Sequence, residues 1–205
     1  YYDRTERQHP GLYGENRNTF DVDFNHHFVL SPCQEIIWGL GFRNTSDEFT
    51  NSTYASLDPA SRSDNLLSAF VQDTLTVIPD TLKLTLGSKF EHNDYTGFEV
   101  QPSARLVFTP NSKNTTWAAV SRAVRTPSRV EHDGRIDLQA LPNPLGIEAP
   151  PEILTIFGSH NFESEVLIAY EAGHRIQLNE QLSVDVATFF NSYDNYDPDR
   201  LEYDR

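Results

Sequence analysis

Along residues 82–95 the chain switches between apolar and polar at nearly every step. Leu82, Leu84, Leu86 and Phe90 share one face, while Lys83, Thr85, Lys89, Glu91 and Asn93 share the other. A period of two belongs to a β-strand, because successive side chains leave an extended backbone on opposite sides. The pattern recurs along the chain. Phe20, Val22, Phe24 and Phe28 oppose Asp21, Asp23 and Asn25. Ile36, Trp38, Leu40 and Phe42 share a face, with Gly39 and Gly41 between them. Ala104, Leu106 and Phe108 oppose Ser103, Arg105 and Thr109, and Leu182, Val184 and Val186 oppose Ser183, Asp185 and Ala187. With further extended runs at 1–7, 65–78, 115–124 and 164–176, about nine strands are expected.

The connections carry a second signal. Residues 31–33, 79–81, 110–114 and 177–181 read as short turns. Between them fall long polar stretches at 44–64 and 125–163, the second containing Pro127, Pro142, Pro144, Pro150 and Pro151. Residues 96–100 are short where the alternation asks for length, and a loop is expected from His9 to about Asn16. Asp64 is a candidate cap for a short helix. Strands of about ten residues or more, with short turns on one edge and long loops on the other, describe an antiparallel up-and-down transmembrane β-barrel. No apolar run reaches the ~18 residues of a membrane helix, so contact with a bilayer would be made by strands.

Composition narrows the function. The 205 residues carry a formal net charge of −14, which disfavours nucleic acid and a basic membrane-surface helix. Hydrophobic residues make up 38% and aromatics 12%, mostly Phe and Tyr, so the chain folds and leans towards strands. Cys33 is the single cysteine, which excludes an intramolecular disulfide. The chain opens within a strand and has no Met, and it reads as part of a longer protein.

Several phrases resemble one family. QPSARLVFTP, starting at Gln101, and WAAVSRAVRTPSR, starting at Trp117, are similar to the barrel region of TonB-dependent outer-membrane receptors. So are Phe70-Val71-Gln72-Asp73, Leu84-Thr85-Leu86-Gly87, Ala169-Tyr170-Glu171-Ala172-Gly173, Tyr2-Asp3-Arg4 and Trp38-Gly39-Leu40-Gly41, in an order and spacing that span nearly the whole chain. The resemblance implies a bacterial outer-membrane importer of an iron chelate or a cobalamin-like ligand. It implies a barrel of about 22 strands around a plug, with lipid outside and the TonB energy-coupling complex as partner. Residues 1–205 would then be a partial barrel domain, with the plug and the remaining strands elsewhere. Glycine within a strand signals a close approach, and at Gly39 and Gly41 a plug or a bend in the sheet would provide it.

The resemblance places ligand contacts in the outer loops, and the candidates there are Arg125, Arg129, His132, His160 and Tyr54. Guanidinium forks suit the carboxylates and phenolates of iron chelates, although Arg122, Arg125 and Arg129 also have local acids such as Glu131 and Asp133 to pair with. Phe49, Tyr54, Phe157 and Phe162 could stack on a chelate or pack loops together. His26 and His27 are adjacent on a strand and point to opposite faces. A loop could unite His132 and His160, whose imidazoles suit transition metals, yet solvated loop histidines are the simpler expectation. No residue set is assigned to a resident metal or cofactor. The acidic end (Asp194, Asp197, Asp199, Glu202, Asp204) does not match a helix–loop–helix calcium spacing and reads as a solvated loop.

Two alternatives remain at this stage. A secreted soluble β-sandwich binding module would explain the strands and the N-glycosylation-like triplets at Asn44, Asn51 and Asn114. An outer-membrane hydrolase would require a nucleophile beside a base; Ser121, His132 and Asp133 are the available set, without the flanking pattern of a nucleophile elbow. The expectation is a transporter rather than an enzyme.

Overall fold

The computed structural model describes residues 1–141, 152–195 and 202–204. Nine strands form one antiparallel sheet: β1 (Tyr2–His9), β2 (Tyr13–Ser31), β3 (Gln34–Thr50), β5 (Ser61–Ile78), β6 (Leu82–Asn93), β7 (Gly97–Asn111), β8 (Asn114–Arg125), β11 (Glu165–Asn179) and β12 (Leu182–Asp194). Each strand lies beside the next in chain order. A four-stranded sheet of order β13-β10-β9-β4 is built from β4 (Ala55–Leu57), β9 (Gly134–Leu141), β10 (Glu152–Phe157) and β13 (Glu202–Asp204). One short helix, α1 (Arg129–Asp133), precedes β9.

The nine-stranded sheet is the expected barrel wall, and it is an open arc with β1 and β12 at its edges. Register aligns the alternating faces across the strands. Phe24 faces Leu40, Leu40 faces Ala69, and Ala69 faces Phe90. Further along, Ala104 faces Val120, Val120 faces Tyr170, and Tyr170 faces Phe190. This outward band is apolar but not packed: Leu40 is 54% exposed and Phe190 67%. Leu57, in the small sheet, is the buried hydrophobic residue among those described. A soluble sandwich would cover such a band with a second sheet. Here the second sheet is tied to the polar end of the wall instead, so the sandwich alternative gives way to a single wall with a lipid-type surface.

The opposite face is polar. Asp21, Arg43, Glu91 and Lys89 lie on it, joined by Arg43–Asp21 at 2.5 Å and Lys89–Glu91 at 2.6 Å. His26 and His27 separate as their alternation requires: His26 accepts from the Trp38 indole at 3.2 Å, and His27 lies 3.7 Å from Glu35. Gly39 explains itself on this face. A Cβ there would sit 2.4 Å from Phe70 Cε1 and 2.6 Å from the Phe24 carbonyl. The close approach thus comes from the neighbouring strands, with no plug or bend required. Gly39→Val is expected to destabilise the wall by about 1–3 kcal/mol through overpacking; loss of heat-resistant migration of the barrel in SDS electrophoresis would report it.

Parts of three expected loops are strands. The first hairpin turns within residues 10–12, not over 9–16. Residues 44–50 and 61–64 extend β3 and β5 beyond the apolar band, with Asn44 paired to Asn65 and Asp47 to Arg62. Above the band both faces are polar, so the period-two signal disappears while the hydrogen-bond ladder continues. Asn44 shows how polar this face is: its side-chain Nδ2 donates to Asn65 Oδ1 at 2.9 Å and to Ser63 Oγ at 3.0 Å. Asp64 belongs to β5 and caps no helix. Likewise the 125–163 stretch is not wholly irregular, since it supplies α1, β9 and β10. Pro142, Pro144, Pro150, Pro151, Asp197 and Asp199 lie outside the described residues.

Candidate functional site

The turns at 32–33, 79–81, 112–113 and 180–181 lie at one edge of the wall, and the opposite edge carries the turns at 10–12 and 94–96 together with the cap formed by α1 and the small sheet. Local sequence starts the cap. Pro127 ends β8, and Ser128 and Glu131 form a capping box: Ser128 N donates to Glu131 Oε2 at 2.7 Å, and Glu131 N donates to Ser128 Oγ at 3.3 Å. This satisfies two amides that a five-residue helix would otherwise leave open.

α1 then delivers Arg129 and Asp133 into the polar face of the wall. Arg129 is 7% exposed. Its Nε reaches Asp47 of β3 at 3.2 Å, Nη2 donates to the Pro59 carbonyl at 2.6 Å, and Nη1 donates to Asp133. Arg62 of β5 donates to Asp133 Oδ2 at 2.9 Å and to Asp64 at 2.5 Å. Tyr95, in the turn after β6, donates to Asp64 at 2.5 Å, and the Arg62 guanidinium lies 4.6 Å over its ring. Burial pushes the Asp133 carboxyl up, but hydrogen bonds from His132, Arg62 and Arg129 outweigh it and hold the group at about 2. Burial and the bond to Asp64 push the Tyr95 hydroxyl up, so it stays a donor. The two arginines therefore rivet the cap to two strands of the wall. A recess of about 370 Å³ opens beside them, lined among others by Arg17, Asp47, Asp64, Tyr95, Ser128 and Arg129. Another recess, of about 500 Å³, lies on the outward band among Phe24, Leu40, Leu67 and Phe98, away from these charges.

Four of the five candidate residues come together in or beside α1. Arg125 pairs with Glu131 at 2.5 Å and lies 3.7 Å from Glu165, with its side chain 52% exposed. Arg129 is the buried rivet. His132 and His160 stack with ring centroids 4.0 Å apart, and both reach Asp133 Oδ1. Tyr54 stands apart, 56% exposed ahead of β4, where its carbonyl accepts from Asp137 N at 2.8 Å. Arg122 donates to the Val100 carbonyl. Ser121 lies within β8, opposite Ala169, whereas His132 and Asp133 belong to the Arg62–Arg129 network in the cap.

Asp47, Arg62 and Tyr95 were not singled out from sequence, and Asp64 was singled out only as a helix cap. Two signals were present: Arg62 and Asp64 are two apart, hence on one strand face, and Ser128-x-x-Glu131 is a capping-box pattern.

These features define a class: a segment of a large antiparallel β-barrel wall, apolar outside and polar inside, closed at one end by a folded polar cap. The family model TonB dependent receptor-like, beta-barrel, matches residues 1–196, and the chain belongs to that family. No curated protein matches the sequence significantly. Among solved structures, the siderophore receptor PirA from Pseudomonas aeruginosa aligns with a TM-score of 0.68 at 17% identity, over 94% of this chain and 34% of its own. PirA from Acinetobacter baumannii aligns at 0.65 and 18% identity, over 88% of this chain and 27% of its own. A mutant of the ferric enterobactin receptor PfeA from Pseudomonas aeruginosa, in complex with enterobactin, aligns at 0.68 and 19% identity, again over 88% and 27%. The likeness is one of fold, and the chain spans about a third or less of the length of these receptors.

Proposed function

We propose that this chain forms part of the wall and outer cap of a bacterial outer-membrane receptor that binds an iron chelate and imports it with TonB-coupled energy. The observation that carries the proposal is the folded polar cap riveted over the polar mouth of a wall whose other face is apolar. The family and the siderophore receptors of the same fold support this choice of cargo. The cap presents groups suited to an anionic chelate: Arg125, 52% exposed, His160, 68% exposed, and Tyr54 for stacking on aromatic ligand rings. His132 and Arg129 act from behind them, His132 as the stacking base of His160 and Arg129 as the residue that sets the cap's position. The outward apolar band faces lipid. Cargo passes unchanged, so the protein is a transporter and not an enzyme.

Growth tests the proposal. A strain deleted for the receptor and for its other iron importers should fail on a ferric chelate as sole iron source and recover when the full-length gene returns. Recovery on cobalamin-limited medium alone would reassign the cargo to a cobalamin-like ligand. Growth without the receptor on every chelate supplied would overturn the iron reading.

A further inference from the structure

One polar contact in the cap is overcommitted. His132 Nδ1 lies 2.7 Å from Asp133 Oδ1 and 3.1 Å from Arg62 Nη1. A carboxylate oxygen accepts, and a guanidinium only donates. A single ring nitrogen cannot answer both: protonated, it opposes Arg62; bare, it opposes Asp133. On the other side of Oδ1, His160 Nε2 lies 3.0 Å away, and its ring stacks on His132 with centroids 4.0 Å apart. Three ligand-type atoms, from His132, Asp133 and His160, all lie within 4.8 Å of one another.

We infer that these three residues form a binding site for a divalent first-row transition-metal ion in the receptor's outer cap, a resident ion distinct from the iron carried in the transported chelate. The cation would take the Nδ1 lone pair and Oδ1 together, displacing the proton that His132 otherwise donates to Asp133 and with it the opposition to Arg62. Arg62 would keep its bond to the other carboxylate oxygen, Oδ2. Two imidazoles and one carboxylate are a nitrogen–oxygen set suited to zinc, copper or nickel, with the remaining position left to water. The surroundings fit. Arg62 and Arg129 both hold Oδ2, which fixes the carboxylate with Oδ1 turned to the histidines, as outer-shell partners do in metal sites. The local charge also favours a cation: three carboxylates (Asp47, Asp64, Asp133) face two guanidiniums (Arg62, Arg129). Entry is open, because His160 is 68% exposed while Asp133 is fully covered. The ligands come from α1 and from the segment after β10, so a bound ion would cross-link the two ends of the cap.

The test uses the full-length receptor, free of affinity tags, in detergent, titrated with Co²⁺ alone and then back-titrated with Zn²⁺. The parent should bind one equivalent of cobalt with a visible absorption band that zinc abolishes. His160→Ala, at an exposed position that leaves the Arg129 rivet intact, should weaken that equivalent at least about tenfold, and His132→Gln should do the same. Heat-resistant migration of the barrel checks that the variants are folded. The inference is overturned if the parent shows no such equivalent, or if folded His160→Ala binds cobalt with the parent's stoichiometry and affinity.

Discussion

Replacing Arg129 with alanine detaches the cap while leaving the wall standing. The guanidinium is 7% exposed and bonds Asp47, Asp133 and the Pro59 carbonyl. Its loss strands Asp47, itself 5% exposed, without the partner that compensates its desolvation. Removing one member of a buried ion pair costs about 3–5 kcal/mol, and here the cost falls on cap docking, because the barrel ladders are untouched. Limited proteolysis should cut the 126–164 segment far faster in Arg129→Ala than in the parent, while barrel migration on gels stays heat-resistant. Arg125→Ala is the contrast. Its ion pairs are half exposed, and exposed pairs contribute about 0–1 kcal/mol, so proteolysis of that variant should match the parent. Equal proteolysis of parent and Arg129→Ala would show that the buried network does not hold the cap.

Removing the cap altogether should separate ligand binding from folding. Arg125 of β8 is paired with Glu165 of β11, and the pairing continues from Val124–Val166 down to Asn114–Ile176. Deleting residues 125–163 and bridging the ends with a short flexible linker therefore leaves that ladder almost whole. The deletion variant should insert and resist heat as the parent does. Chelate affinity should fall by at least about 100-fold, close to 2.7 kcal/mol, because Arg125, His132 and His160 leave with the segment. Import at the parent's rate by the deletion variant would refute the assignment of ligand contacts to this cap.

How much of this was legible in the sequence varies with position relative to the apolar band. Within the band, one face must be apolar and the other polar. The strands at 82–93 and 182–194 were accordingly read almost to the residue. Above the band both faces meet water or the polar mouth, so residues 44–50 and 61–64 carried no period and read as loop, although every one of them is paired. The small sheet escaped notice for a related reason. Its strands are short (β4 has three residues and β10 six), and they are held by partners far apart in sequence, Ala55 with Ile136 and Ile156 with Tyr203. Local pattern does not report such pairings.

The sequence by itself determined the wall: its strand number, its two-faced character and most of its short turns follow from alternation and turn chemistry within a few residues, and its family was signalled by the resemblance of whole phrases such as QPSARLVFTP. Only the tertiary structure decided the cap. Arg129 meets Asp47 across 82 positions, Arg62 meets Asp133 across 71, and His160 meets Asp133 across 27. In sequence Arg129 belonged to a basic cluster, Arg62 lay in a polar stretch, and the two histidines were separate. Folding made the arginines into a buried fastening and the histidines into a stacked pair on one carboxylate, because desolvation leaves a charge no stable place except against its opposite.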